Sequence, residues 1–235
     1  MNHGVAVSDL LVPGTPKVQL NGAPLFGGTV DAAGATAPTN YNVTLNNGAV
    51  VRHVVRRVDP IDMPGVTAPA LPAGTRSVTL TAAGQSIGAP STLRDLTLSA
   101  HAGSVAVPAG VYGNFAVNGS NGLVLGVAGA TEPAVYELQS LTLSKNASVK
   151  IVGPVTLKLA GALTLDGTLG SSTNPEWLEL QIASGGLTVN GAAVVNGVVI
   201  APNGVVLING TVQGRVNADQ LTIIGGGALI DSGLP

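Results

Sequence analysis

Side chains able to do chemistry are few in this sequence, and the densest group is Arg52, His53, Arg56, Arg57, Asp59 and Asp62. Guanidinium forks match carboxylates and sulfates in bidentate geometry, so the group reads as a site for an anion or an acidic glycan. It reads equally as a solvated rim, with Val51, Val54, Val55 and Val58 facing inward and the arginines paired with the two aspartates. The rim is the simpler expectation, because charge runs are usually solvated faces. Glycosidases need two carboxyl groups at a set separation, and the pairs available are Asp59 with Asp62 and Glu176 with Glu179. Only 12 acids occur in the whole chain, and no Arg, Lys or His accompanies these pairs at a matching position. They are expected to be solvated turn acids, which leaves a polysaccharide lyase or hydrolase acting through Asp59 or Glu179 as the alternative.

The three histidines, His3, His53 and His101, lie in separate stretches without ligand spacing, so no metal site is expected. Acids on adjacent turns, as a calcium-assisted lyase would need, are missing too. Cysteine is absent, which removes thiolate chemistry and disulfides together. Gly225-Gly226-Gly227 lacks the Lys-Ser/Thr and helix of a phosphate loop, and no G-x-S-x-G occurs. The expectation is no catalytic residue and no cofactor. Sugar-binding clefts usually need stacking platforms; Tyr112 with Phe115, and Tyr136, are the aromatic residues that could line one.

The elements that must position these residues follow from composition. The chain is 45% apolar, 9% charged and 3% aromatic, with 33 Gly and 15 Pro; a soluble domain normally carries about 25% charged residues. No stretch reaches the ~18 uninterrupted apolar residues of a membrane span, and the abundance of β-branched apolar residues excludes disorder. A net charge of −2 gives no basic footprint for nucleic acid or an anionic membrane. The start, Met1-Asn2-His3-Gly4, has no basic region followed by an apolar one, so an export or anchor segment is expected to lie outside this sequence.

Internal repetition is the informative feature. Leu141-Thr-Leu-Ser-Lys-Asn-Ala returns as Leu163-Thr-Leu-Asp-Gly-Thr-Leu, Leu187-Thr-Val-Asn-Gly-Ala-Ala, Val206-Leu-Ile-Asn-Gly-Thr-Val and Leu221-Thr-Ile-Ile-Gly-Gly. Earlier copies begin at Val78 and Leu96. Each phrase alternates apolar and polar residues and then meets Gly, Asn or Ala, the pattern of a short strand with one buried face and a tight corner. Such strands cannot close a core alone, but stacked turn upon turn they form a continuous apolar column. The expected fold is an all-β, single-stranded right-handed parallel β-helix with rungs of about 20 residues. Val18–Val30 aligns with Val43–Val55, and both align with Leu187–Val199, so residues 1–235 are expected to form one β-helix domain. Residues 58–72, rich in prolines that cannot donate to a ladder, are expected to cross the outside of the solenoid.

Two columns follow from this repeat. Thr79, Thr97, Thr142, Thr156, Thr164, Thr188 and Thr222 share one phrase position and predict an outward hydroxyl column, though threonine also simply suits strands. Asn146, Asn190 and Asn209 predict a ladder of stacked corner amides.

Residues 58–231 resemble a family of bacterial surface β-helix modules that often follow a pilin-like or other single membrane anchor. The resemblance rests on Asp59-Pro-Ile-Asp-Met-Pro64, Val107-Pro-Ala-Gly-Val-Tyr-Gly-Asn-Phe115, Leu141–Val149, Gly153–Leu157, Gly197–Asn203 and Leu207–Gly214. Ice-binding solenoids and polymer-forming bactofilins look similar at this level. The resemblance implies a right-handed β-helix and an envelope or extracellular location, and it carries over no catalytic residues. The expected role is a non-enzymatic structural or adhesive display module, with an envelope glycan or its own terminal rungs as partner. The alternatives are a polysaccharide-active enzyme and an ice-binding protein.

Overall fold

Short alternating strands punctuated by glycine can satisfy their backbone only by pairing with other strands, and in this chain every described pair is parallel. The computed structural model describes residues 6–59 and 64–230. It is an all-β right-handed solenoid of about 10 turns, its stacked coils about 21 residues long. Strand accounts for 56% of the structure and helix for 3%, so the helical content is too small to carry any of the packing.

In the main body, residues 76–230, the aliphatic positions of the repeat fill the tube. One inward column runs Leu80, Leu98, Val117, Leu143, Leu165, Val189, Ile208 and Ile223, each opposite the next. All eight are buried. On another wall Val105, Leu123, Val149, Leu169, Val195, Val212 and Leu229 stack in the same way. The third wall stacks Tyr136, Leu157, Leu180, Val199 and Val216. The spacing of the repeated phrases is the observed register: Leu163 pairs with Leu187, Leu187 with Val206, and Val206 with Leu221.

Residues 6–58 form a smaller set of turns. Ala6–Pro13 and the short strands Leu25–Phe26 and Thr29–Asp31 flank the central strand Val50–Val58. Lys17–Leu20 pairs with Asn42–Leu45. Val18 lies opposite Val43 and Val30 opposite Val55, which is the register in which the two sequence copies align. A second apolar cluster, Val12, Val43, Leu45, Ala49, Val51 and Val54, fills this part.

The first set of turns therefore lies at the same end of the solenoid as the last described strands. Ala6–Pro13 packs against Ala228–Ile230, and Leu10, Val43 and Thr44 share a crevice with Leu221–Ile224. To begin the main body at Arg76, the backbone has to travel back along the outside. Within that stretch the Ala70 N–H donates to Glu137 Oε2 at 3.2 Å, and Gln139 Nε2 donates to the Ala70 carbonyl at 2.8 Å. These side chains satisfy a strap that has no strand partner of its own.

Leu165 is fully buried between Leu143 and Val189. Leu165→Ala is expected to lower unfolding free energy by about 2–5 kcal/mol, whereas Thr164→Ala, outside the tube, should stay within about 0.5 kcal/mol. Urea denaturation followed by circular dichroism measures both.

Candidate functional site

Two outward surfaces carry the arginine cluster and most of the threonines singled out by the sequence. The first lies on Val50–Val58. Arg52 Nε donates to Asp9 Oδ1 at 2.9 Å, its Nη2 bonds Asp9 Oδ2, and His53 Nδ1 lies 3.2 Å from Asp9 Oδ1. Arg56 Nε donates to Asp31 Oδ1 at 2.7 Å, while Arg57 Nη1 lies 3.9 Å from Asp31 Oδ2. The ladder is broken beside Arg56 and Arg57, which both approach the Asp31 carboxylate. Val12 pairs with Arg56 and Pro13 with Val58, which leaves Arg57 as the extra residue of a bulge, in the left-handed region at φ 57°.

The rim expectation is thus corrected in its partners. Among the described residues the arginines pair with Asp9 and Asp31, not with Asp59. Asp59 is exposed beside Gly34, and Asp62 lies outside the described residues. Val51 and Val54 face inward as expected, but Val55 and Val58 are only half-buried. Arg52 holds the Asp9 carboxyl at about 2 by hydrogen bonding, against partial burial and with help from His53. An anion approaching this strip would have to displace carboxylates already in place.

The second surface is the outer face of the repeated phrase in the main body. Thr79, Thr97, Ala116 and Thr142 lie in one column. Thr142 and Thr164 each precede the paired Leu143 and Leu165, and the column continues through Thr188, Leu207 and Thr222. Thr156 does not belong to it. It sits on another wall, between Val135 and Glu179, because each turn carries more than one strand of the same pattern.

Beside the first threonines runs a polar ladder that sequence reasoning missed. Asp95 accepts from Ser77 Oγ at 2.9 Å, Arg94 Nε at 2.8 Å and the Asn114 backbone N–H at 2.9 Å. Asn114 Oδ1 in turn accepts from Ser140 Oγ at 2.7 Å. Gly113 makes room for this junction, since a Cβ there would lie 2.4 Å from Asp95 Oδ1. Burial works to raise the Asp95 pKa, but the Asn114 N–H, Arg94 and Ser77 outweigh it and hold it at about 2.

Other expected site residues are dispersed. Tyr112 and Tyr136 are corrected from cleft platforms to core: they are 2% and 1% exposed. Their hydroxyls donate to the Pro108 and Val107 carbonyls at 2.8 and 2.9 Å. Tyr112 packs on Phe115 at 5.1 Å between ring centroids, and Tyr112 and Tyr136 fill the third wall rather than line a groove. Glu179 accepts from Gln181 Nε2, and Glu176 Oε1 from Asn174 Nδ2 at 3.2 Å. His101 is exposed on the edge of Leu93–His101, and His3 lies outside the described residues. Asn146, Asn190 and Asn209 are not buried; Asn190 Nδ2 bonds the Asp166 carboxylate at 2.8 Å instead of another amide. The buried corner amide is Asn121, whose Oδ1 accepts from the Gly103 N–H at 2.8 Å. Among the described residues no group of three or more His, Asp or Glu side chains is placed to hold a metal ion, and no helix is long and apolar enough to cross a membrane.

Compared with known proteins, the chain matches no family model, no curated protein and no solved structure.

Since Asp95 titrates at about 2 in the fold instead of its ordinary 3.8, its ionisation stabilises the protein fully above about pH 4, and that contribution disappears as the pH falls towards 2. Asp95→Asn is expected to flatten the acid limb of stability across that range. Denaturant midpoints as a function of pH, with carbon-13 detection of the Asp95 carboxyl, measure both halves of the statement.

Proposed function

We propose that this protein is a non-enzymatic display module at the bacterial cell surface or outside the cell, a stiff rod presenting small polar side chains to a glycan or to another copy of itself. The single observation carrying this reading is the outward face of the main body, where threonine, serine, asparagine and aspartate repeat rung after rung in register. At the ~4.8 Å strand spacing, about 10 turns make a rod roughly 50 Å long. The carboxylates suggested for catalysis support an enzyme poorly, because Glu179 is tied to Gln181 on the main body and Asp59 stands apart from it, just after the strand Val50–Val58. The likeness of Val107–Phe115 and the Leu-Thr-Leu phrases to bacterial surface β-helix modules supports the location.

Self-association is favoured at one end. In the turn between Lys17 and Tyr41 the apolar residues Leu20, Leu25 and Val30 are 50%, 69% and 46% exposed, so this rung resembles an open end awaiting another layer. At the start of the main body, Gln85 Oε1 instead accepts the N–H groups of Thr81 and Ala82, blunting that edge.

Retention on bacterial cells or envelope glycans, or a concentration-dependent oligomer lost in Leu25→Asp, is the expected outcome. Pull-down and light scattering measure it. A protein that stays monomeric and binds neither, or that releases products from polyuronates unless Asp59 is replaced by Ala, overturns the reading.

A second reading, ice binding, is favoured by one observation, the register of six threonines in a single column. Ala116 and Leu207 interrupt it. Ice binding would shape crystals in a nanolitre osmometer and be lost in Thr164→Lys; crystals with normal growth facets reject it.

A further inference from the structure

The corner following the threonine column is not uniform from rung to rung. Between the paired positions Leu143 and Ser148 stand four residues, Ser144–Ala147, and between Val189 and Val194 stand four more, Asn190–Ala193. The rung between them passes from Leu165 to Thr168 with only Asp166 and Gly167. The flanking corners close as turns, Ala147 N–H to Ser144 O at 2.9 Å and Ala193 N–H to Asn190 O at 2.7 Å. Their tips, Lys145-Asn146 and Gly191-Ala192, project past the shortened middle rung.

The backbone stays bonded through the gap: Thr168 N–H donates to Ala147 O at 3.0 Å, and Val194 N–H to Gly167 O at 3.1 Å. Gly167 is required for this close approach, since a Cβ there would lie 2.2 Å from the Ala147 carbonyl oxygen. Two missing residues thus cut a notch of about 380 Å³ into the side of the solenoid, lined by Ser144, Lys145, Asn146, Asp166, Thr168 and Asn190. That volume is at the small end of the ~300–1,000 Å³ usual for ligand sites.

The lining is polar and only partly satisfied from within. Asp166 Oδ1 accepts from Asn190 Nδ2 at 2.8 Å, and Ser144 Oγ accepts from the Gly119 N–H at 2.8 Å. Among the described residues, the side chains of Lys145, Asn146 and Thr168 make no hydrogen bond or ion pair. The second Asp166 oxygen and the Asn190 carbonyl oxygen remain as acceptors beside these donors.

We propose that this notch binds one neutral hydroxylated sugar residue of a glycan. The proposal deepens the display reading by naming its ligand class. A sugar hydroxyl both donates and accepts, so neighbouring hydroxyls are met by a carboxylate that only accepts beside amides that do both. One Lys and one Asp leave the notch without formal net charge, which disfavours phosphate and polyanions. No aromatic platform lines it, so each contact is weak, and affinity for a polymer comes from many copies on one surface.

Titration of the isotope-labelled full chain with methyl hexosides, and separately with galacturonate and inorganic phosphate, tests the proposal by nuclear magnetic resonance. Neutral sugars are expected to shift the amides of 145–147, 166–168 and 190–192 saturably. Asp166→Ala should weaken binding by about tenfold or more, the loss of a hydrogen bond to a charged group. Insertion of Asn-Gly after Asp166 restores a four-residue corner and should abolish binding, with the amide pattern elsewhere unchanged as the control for folding. Shifts with phosphate or galacturonate alone, shifts confined to other faces, undiminished affinity in both variants, or no response to any sugar up to its solubility overturns it. Retention on cells separates the two readings. If Asp166→Ala is retained as well as the wild type and the sugars give no saturable shift, the notch falls and the display reading stands. If the wild type is neither retained nor oligomeric, the display reading falls, and the titration still decides the notch.

Discussion

Each turn of this chain holds its shape because the turns on either side complete its backbone hydrogen bonds. A three- to five-residue strand such as Leu163–Leu165 or Val155–Leu159 cannot fold alone, since ordering each residue costs about 1–2 kcal/mol of entropy. Stacking supplies what the strand lacks: a partner for every N–H and carbonyl, and an aliphatic neighbour above and below every inward side chain. The low charge content and the dominance of Leu, Val and Ile follow from that one constraint. A tube only one side chain deep has no place for an unpaired charge.

The same constraint decides where function can reside. Inward positions are committed to packing, so even Tyr112 and Tyr136 enter the core and satisfy their hydroxyls on the Pro108 and Val107 carbonyls. What remains is the outer face and the corners. The outer face repeats, so it can offer only a repeated pattern of small polar groups. Corners vary in length at little expense because only a small residue such as Ala147 or Ala193 turns inward from them, and the shortened corner at Asp166-Gly167 shows how an irregular site can arise without disturbing the ladder.

The ends of the tube are the other departure from repetition. The first set of turns sits against the last strands, and the strap through Ala70 carries the backbone to the opposite end. The apolar edge around Leu221–Ile224 is thereby faced across a crevice by Leu10, Val43 and Thr44, while an exposed apolar edge lies at Leu20, Leu25 and Val30. Edge exposure in a solenoid is relocated by such an arrangement rather than abolished.

Much of the architecture was legible in the residues. Period-two alternation ending in Gly or Asn identified strands and corners, and the intervals between the Leu-Thr-Leu phrases set the register, because a strand stacks on its equivalent one turn away. The alignment of Val18–Val30 with Val43–Val55, carried one residue further, places Asp31 opposite Arg56, which is the ion pair observed. Tertiary structure alone decided the rest. Asp9 meets Arg52 and His53 because Ala6–Pro13 lies on the far side of Val50–Val58, a neighbour no local pattern announces. The inward turn of Tyr112 and Tyr136, the gathering of Ser77, Asp95, Asn114 and Ser140, and the notch at Asp166 depend on which corner overhangs which. Sequence determined the period of the coil; only stacking determined what each turn places beside the next, since contacts across rungs join residues that the chain itself keeps about twenty positions apart.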